Sequence, residues 1–127
     1  MIIIDTHILI WWVNESPNLS PQQLQTLEAQ EIVAVSAISI WEIAKLVEKG
    51  RLILDRSVSD WIDAILLIPK IQLIPLTPEI IIQSTQLPGD FHNDPADQII
   101  VATAIYLNCK LLTQDSKILN YKYVTTF

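Results

Sequence analysis

A chain of 127 residues can bury one sizeable hydrophobic core, so we expect a single domain over residues 1–127. Hydrophobic residues make up 50% of the chain and charged residues 17%, a balance that excludes intrinsic disorder. The net charge of −6 argues against broad electrostatic attraction to nucleic acid, but it leaves open an enzyme whose clustered acids bind metal ions.

Apolar content raises the question of membrane insertion, since the mean hydropathy is +0.36. The longest apolar runs, such as ILIWWV and AILLI, are far shorter than the roughly 18–20 residues of a transmembrane helix. No basic leader precedes the first apolar stretch, so we expect no signal peptide, no membrane association and a cytoplasmic location. The single cysteine, Cys109, is predicted to pack as a small hydrophobic residue.

Short apolar runs alternate with helical patterns along the whole chain, which predicts an α/β domain with a parallel sheet. Strands are predicted over 1–4, 32–37, 71–76, 110–113 and 123–127. Helices are predicted between them, over 6–13, 19–30, 39–50, 57–68, 78–87, 95–108 and 115–120. Five strands with intervening helices describe a doubly wound sheet.

Two helix starts carry capping signals. Ser20, followed three residues later by Gln23, predicts a capping box at the start of the helix over 19–30. Ser39 is predicted to cap the helix over 39–50, which puts Glu42 in its first turn as the partner in a second capping box.

Four acidic residues stand at junctions between apolar elements. Asp5 follows the first strand and Asp115 follows the fourth, while Glu42 and Asp97 lie in predicted first helical turns. In an open α/β sheet, ligands bind beyond the carboxyl ends of the strands, where the strand order reverses. If the first and fourth strands are neighbours, the four carboxylates can meet in that crevice.

Each carboxylate also has a purely structural explanation, because acids at helix starts cap the helix and interact favourably with its dipole. Asp94 and Pro95 can begin the long helix, and Asp5 and Asp115 can cap the helices that follow them. Four negative groups in one crevice nevertheless repel one another, and a cation is the usual compensation. A hard divalent ion prefers such oxygen ligands and can assist attack on a phosphodiester.

Four segments resemble the successive motifs of the PIN domain, most closely those of its bacterial VapC-like branch of type II toxins. The segments are IIIDTHILIWWV, SAISIWEIAKLVEKGRL, FHNDPADQIIVATA and LLTQDSKIL. They occur in the family's order and at matching spacing, and they cover nearly the whole chain. The resemblance implies a single three-layer α/β/α domain with a central parallel sheet of about five strands.

The resemblance also implies a metal-dependent endoribonuclease that uses Mg²⁺ or Mn²⁺. The family's metal-binding and catalytic positions fall on four residues here, Asp5, Glu42, Asp97 and Asp115. Asp94 and Thr113 match positions that support the site. The implied partners are an RNA substrate, a small antitoxin that occludes the site, and a second copy of the chain in a homodimer.

Two other functions remain open. Gln98, where many members of the family carry arginine, favours a PIN-fold interaction module with little catalysis, although the intact acidic set argues against it. A Mg²⁺-dependent phosphohydrolase or phosphotransferase also uses an aspartate after a first strand, but such sites usually need a second aspartate where this chain has His7.

Some further side chains could contact RNA. Lys45, Lys49 and Arg51 could bind phosphate or remain solvated charges on a helix face. His92 lies in a loop near the crevice and could contact substrate. The four tryptophans are predicted to be core or interface anchors, with base stacking as the alternative: Trp11, Trp12, Trp41 and Trp61.

Overall fold

The central sheet of the computed structural model, which describes residues 1–127, contains four parallel strands. They are β1 (Ile2–Ile4), β2 (Val33–Ser36), β3 (Ile71–Ile74) and β4 (Lys110–Leu112). The strands lie in the order β3–β2–β1–β4, so the first and fourth strands are neighbours. This order brings the residues that follow β1 and β4 to the same edge of the sheet.

The predicted fifth strand over 123–127 is reduced to a single bridge between Leu111 and Thr126. Two backbone hydrogen bonds form this bridge: the Leu111 N–H donates to the Thr125 carbonyl at 2.9 Å, and the Phe127 N–H donates to the Leu111 carbonyl at 3.3 Å. β3 is also shorter than the predicted strand over 71–76, because Pro75 has no N–H with which to extend the ladder.

Seven helices surround the sheet. They are α1 (Thr6–Val13), α2 (Pro21–Ala29), α3 (Ala37–Glu48), α4 (Val58–Leu66), α5 (Pro78–Ser84), α6 (Pro95–Leu107) and α7 (Ser116–Leu119). The predicted capping box of α2 is confirmed: the Ser20 hydroxyl and the Gln23 side chain each accept the other's backbone N–H at 3.1 Å. None of the helices is long and apolar enough to cross a bilayer.

The start of α3 differs from the prediction. Its N-cap is Ser36, whose hydroxyl accepts a backbone hydrogen bond at 3.2 Å. Ser39 is instead fully buried, with its hydroxyl beside that of Thr6. The predicted capping box of Ser39 and Glu42 is therefore wrong, and Glu42 lies in the second turn. Both serines precede the same apolar run, and only tertiary packing distinguishes them.

Successive side chains of each strand point to opposite faces of the sheet, so a separate hydrophobic core forms on each face. Ile2 and Ile4 pack with α1, α3 and α4, whereas Ile3 packs with α5, α6 and α7. Cys109 packs, partly buried, against the second of these cores, as predicted. The strands are thus covered on both faces, as parallel sheets require. This arrangement confirms the three-layer α/β/α fold class, with four strands rather than five.

Candidate metal centre

Acidic side chains line a cleft of about 380 Å³ at the carboxyl edge of the sheet. β1 and β4 lead directly into it, and the Asp5 N–H donates to the Leu112 carbonyl across these two strands at 3.0 Å. α3 and the start of α6 complete its walls. The acids lining the cleft include all four that were predicted to cluster and one of the two supporting residues: Asp5, Glu42, Asp97, Asp115 and Asp94.

Asp5 is the most enclosed of these acids, with only 7% of its surface exposed. Its Oδ1 accepts the Thr6 N–H at 2.7 Å, and its Oδ2 accepts the Thr113 hydroxyl at 2.7 Å. Burial raises the pKa of Asp5 above its usual value, while these two hydrogen bonds act in the opposite direction. Thr113, the second residue expected to support the site, thus contacts Asp5 directly.

Glu42 is held by a hydroxyl contact that the sequence did not indicate. The Thr6 hydroxyl hydrogen bonds to Glu42 Oε1 and lies 2.8 Å from the Ser39 hydroxyl. Because Thr6 has one hydroxyl proton, both contacts are satisfied when Thr6 donates to Glu42 and Ser39 donates to Thr6. Burial raises the pKa of Glu42, the Thr6 hydrogen bond lowers it, and the charges of Asp5 and Asp94 raise it further.

Asp97 carries the largest electrostatic perturbation in the cleft. Asp94 caps α6 as predicted, since its Oδ1 accepts the Asp97 N–H at 3.0 Å, and this fixes Asp97 at the third helical position. Burial is the main cause that raises the pKa of Asp97, and together with the negative charges of Asp5, Asp94, Asp115 and Glu42 it raises that pKa to about 7. These carboxylates together form a region where a cation would be strongly stabilised.

His92 lies closer to the acids than expected of a residue at the cleft mouth. Its Nε2 is 3.1 Å from Asp97 Oδ2 and is buried without an aligned hydrogen bond. One donor atom each from His92, Asp97 and Asp115 lie within 4.8 Å of one another. The Gln98 amide donates to the His92 carbonyl at 2.9 Å, which ties this loop to the first turns of α6.

The donor set fits a hard divalent cation, which prefers oxygen ligands. Asp115 Oδ1 caps α7 by accepting two backbone N–H groups, at 2.8 and 3.2 Å, and its second oxygen makes no hydrogen bond to the protein. Glu42 likewise keeps one oxygen without a protein hydrogen bond. A divalent cation would bind these free carboxylate oxygens and reduce the repulsion between the negative charges.

The PIN domain family model matches residues 2–122. The chain belongs to the PIN domain family. Ribonuclease VapC22 of Mycobacterium tuberculosis (strain ATCC 25618 / H37Rv) is 33% identical over 122 residues, which are 96% of this chain and 92% of that protein. The predicted resemblance to the VapC-like branch of PIN domains is thereby confirmed.

Solved structures share the PIN fold over their whole length. A toxin-antitoxin complex from Klebsiella pneumoniae has a TM-score of 0.71 at 20% identity, covering 99% of this chain and 97% of the other. VapBC2 from Rickettsia felis, bound to a DNA fragment from its promoter, has a TM-score of 0.70 at 19% identity, covering 100% and 98%. At these sequence identities, the structural similarity shows that the chains share a fold.

Removing the cap of α6 should destabilise this PIN domain. We expect Asp94→Ala to lower the free energy of unfolding by about 1 kcal/mol, because the Asp97 N–H loses its acceptor. Asp94→Asn is the matched control, since asparagine caps equally well and also removes a negative charge beside Asp97. Urea denaturation measures both variants, and an equal loss in the two would contradict the capping role.

The buried hydrogen bond between Thr113 and Asp5 gives a second stability prediction. Thr113→Val leaves Asp5 Oδ2 without its donor and the Asp115 N–H without its acceptor, and we expect a loss of about 1–3 kcal/mol in the free energy of unfolding. Thr113→Ser keeps the hydroxyl and should lose less. A valine variant as stable as the serine variant would show that this hydrogen bond is not needed to bury Asp5.

Proposed function

We propose that this chain is a metal-dependent endoribonuclease and the toxin of a type II toxin–antitoxin pair. The observation that carries the proposal is the convergence of four carboxylates from separate elements in one cleft: Asp5, Glu42, Asp97 and Asp115. The 33% identity to a protein named as a ribonuclease supports the same activity.

We assign the four carboxylates as the residues that hold Mg²⁺ or Mn²⁺, with Asp5 and Asp97 as direct ligands. Glu42 and Asp115 complete the set, directly or through water. When bound, the ion supplies positive charge that polarises the phosphodiester and lowers the pKa of water. Asp94 supports the site by capping the helix that presents Asp97.

The chain's own groups supply positioning and proton transfer. Thr113 and Thr6 hold Asp5 and Glu42 before substrate arrives, so little reorganisation is needed during the reaction. A carboxylate of the cleft accepts a proton from the attacking water. The water oxygen then bonds to phosphorus while one phosphorus–oxygen ester bond of the RNA breaks, and the departing ribose oxygen takes up a proton from solvent and leaves as a hydroxyl group.

An antitoxin and a second copy of the chain are the protein partners we propose. The similar structure from Klebsiella pneumoniae is a toxin-antitoxin complex. This chain also leaves apolar surface exposed at the end of α4 and on α5, where Leu67 is 81% and Ile82 56% exposed. Association with a partner would remove such surface from water.

Incubation of the purified chain with end-labelled single-stranded RNA tests the proposed activity. We expect cleavage in Mg²⁺ or Mn²⁺ and none in EDTA. Intact RNA under every metal condition would contradict the nuclease and would instead support a PIN-fold interaction module without catalysis.

A further inference from the structure

A second groove, of about 250 Å³, opens directly from the acidic cleft along α3. The two share His7, Glu42 and Asp94 in their linings, so a ligand in one continues into the other. The rest of the second groove differs in character, because its other polar residues are cationic and an indole stands beside them. We call it the basic groove; its distinguishing residues are Trp41, Lys45, Lys49 and Arg51.

Helical spacing aligns these residues with the acidic cleft. Lys45 and Lys49 follow Glu42 by three and seven positions, so they lie on the same face of α3. At 1.5 Å of rise per residue, Lys49 lies about 10 Å along the helix axis from Glu42. This face of α3 therefore runs from Glu42 in the acidic cleft to the positive charges of Lys45 and Lys49.

The end of α3 adds Arg51 to this face. Gly50 has a φ of +69°, a left-handed conformation that favours glycine, and it reverses the chain after the helix. The Arg51 N–H then donates to the Leu46 carbonyl at 2.8 Å, which fixes the backbone of Arg51 against the last turn. The third cation is thus held in place by the helix end.

Two of the three cations in the basic groove have no ion-pair partner. Lys45 pairs with Glu48 at 3.1 Å and remains 40% exposed, whereas neither Lys49 nor Arg51 makes an ion pair. Three of the chain's eight cationic side chains lie here, although the net charge is −6. Glu42 and Asp94 carry negative charge at the end shared with the acidic cleft, so Lys49 and Arg51 are the groups available to bind phosphate.

Trp41 lies outside the core, which leaves the interface position and base stacking among the roles expected from the sequence. Its side chain is 55% exposed, whereas Trp61 is 4% exposed in the core. The Lys45 ammonium lies 5.9 Å from the centre of the Trp41 ring. An exposed indole in the same groove as two unpaired cations presents both a stacking surface and phosphate ligands, which together bind single-stranded nucleic acid.

We propose that the basic groove binds single-stranded RNA next to the scissile phosphate, with a base stacked on Trp41 and backbone phosphates at Lys49 and Arg51. The assignment rests on the proposed ribonuclease function, because the shared lining then delivers the strand to the catalytic carboxylates. Stacking on Trp41 needs an unpaired base, so the groove selects single strands over duplex RNA.

Fluorescence anisotropy of a short labelled oligouridine, measured in EDTA to prevent cleavage, tests the groove directly. Trp41→Ala should weaken binding roughly 10-fold, and Trp41→Phe should retain most of the affinity. Lys49→Ala with Arg51→Ala should weaken it by a similar factor and lower the salt slope by about 1.4. Lys110→Ala with Lys122→Ala removes the same charge elsewhere on the exposed surface and should change little.

Wild-type affinity in the basic-groove variants would overturn the proposal, and so would an equal loss in the Lys110 and Lys122 control. Equal affinity for duplex RNA would contradict stacking on Trp41. If the basic-groove variants kept RNA binding but lost binding of an acidic peptide, the groove would be a peptide site and the proposal would be wrong. Failure of metal-dependent cleavage by the wild type is a separate result, which overturns the ribonuclease function rather than the binding measurement.

Discussion

Replacing Asp5 or Asp97 with asparagine is expected to lower metal-dependent RNA cleavage by about 10²–10³-fold or more. Asparagine has nearly the same shape as aspartate but lacks the negative charge that a hard divalent cation requires. Asp63→Asn is the matched control, because Asp63 is exposed on α4 and does not line the cleft. Initial rates on a labelled RNA at saturating Mn²⁺ measure the effect.

Loss of activity in these variants has to be separated from loss of the fold. In Asp5→Asn the side-chain amide oxygen still accepts the Thr6 N–H. In Asp97→Asn the backbone N–H of residue 97 still donates to Asp94, so the cap of α6 is retained. We therefore expect both variants to fold. Circular dichroism and thermal unfolding check this directly. Cleavage at the wild-type rate by either folded variant would contradict its assignment as a direct ligand.

Without divalent ions, the protein should lose stability as pH rises towards neutrality, and Asp97→Asn should remove much of that dependence. Folding raises the pKa of Asp97 to about 7. Such a carboxyl group contributes its full stability below its unfolded pKa of about 4, and that stability is lost as pH rises through about 7. The full shift corresponds to about 4 kcal/mol, and partial solvation should reduce the observed loss to about 2 kcal/mol.

Urea denaturation in EDTA at about pH 5 and about pH 8 measures this loss in the wild type and in Asp97→Asn. Buried Asp5 and Glu42 also have raised pKa values, so a smaller dependence with the same sign should remain in the variant. Adding Mn²⁺ at about pH 8 should restore stability to the wild type and do so less in the variant. Identical pH dependence of the free energy of unfolding in the two proteins would show that folding does not raise the pKa of Asp97.

Local features of this fold could be predicted from the sequence. The capping box of Ser20 and Gln23, and the cap that Asp94 provides for α6, each depend on residues within three positions of one another. The convergence of Asp5 and Asp115 was predicted on the condition that the first and fourth strands are neighbours, and the strand order of the structure meets that condition.

Contacts that depend on packing between elements could not be predicted. Ser39 had the local signature of an N-cap, but the packing of α1 against α3 buries it beside Thr6. The approach of His92 to Asp97 depends on the path of a loop, which the Gln98 amide holds by its contact with the His92 carbonyl. Spacing in the sequence carries no information about such paths.

Incorporation of heavy oxygen from ¹⁸O-labelled water into the terminal phosphate of the RNA product tests most directly whether the acidic cleft uses water as the nucleophile. We predict labelled phosphate in Mg²⁺ or Mn²⁺, no product in EDTA, and almost no labelled product from Asp97→Asn. An unlabelled 2′,3′-cyclic phosphate formed in EDTA would contradict the proposal, because the RNA's own hydroxyl would then be the attacking group and no metal ion would be needed.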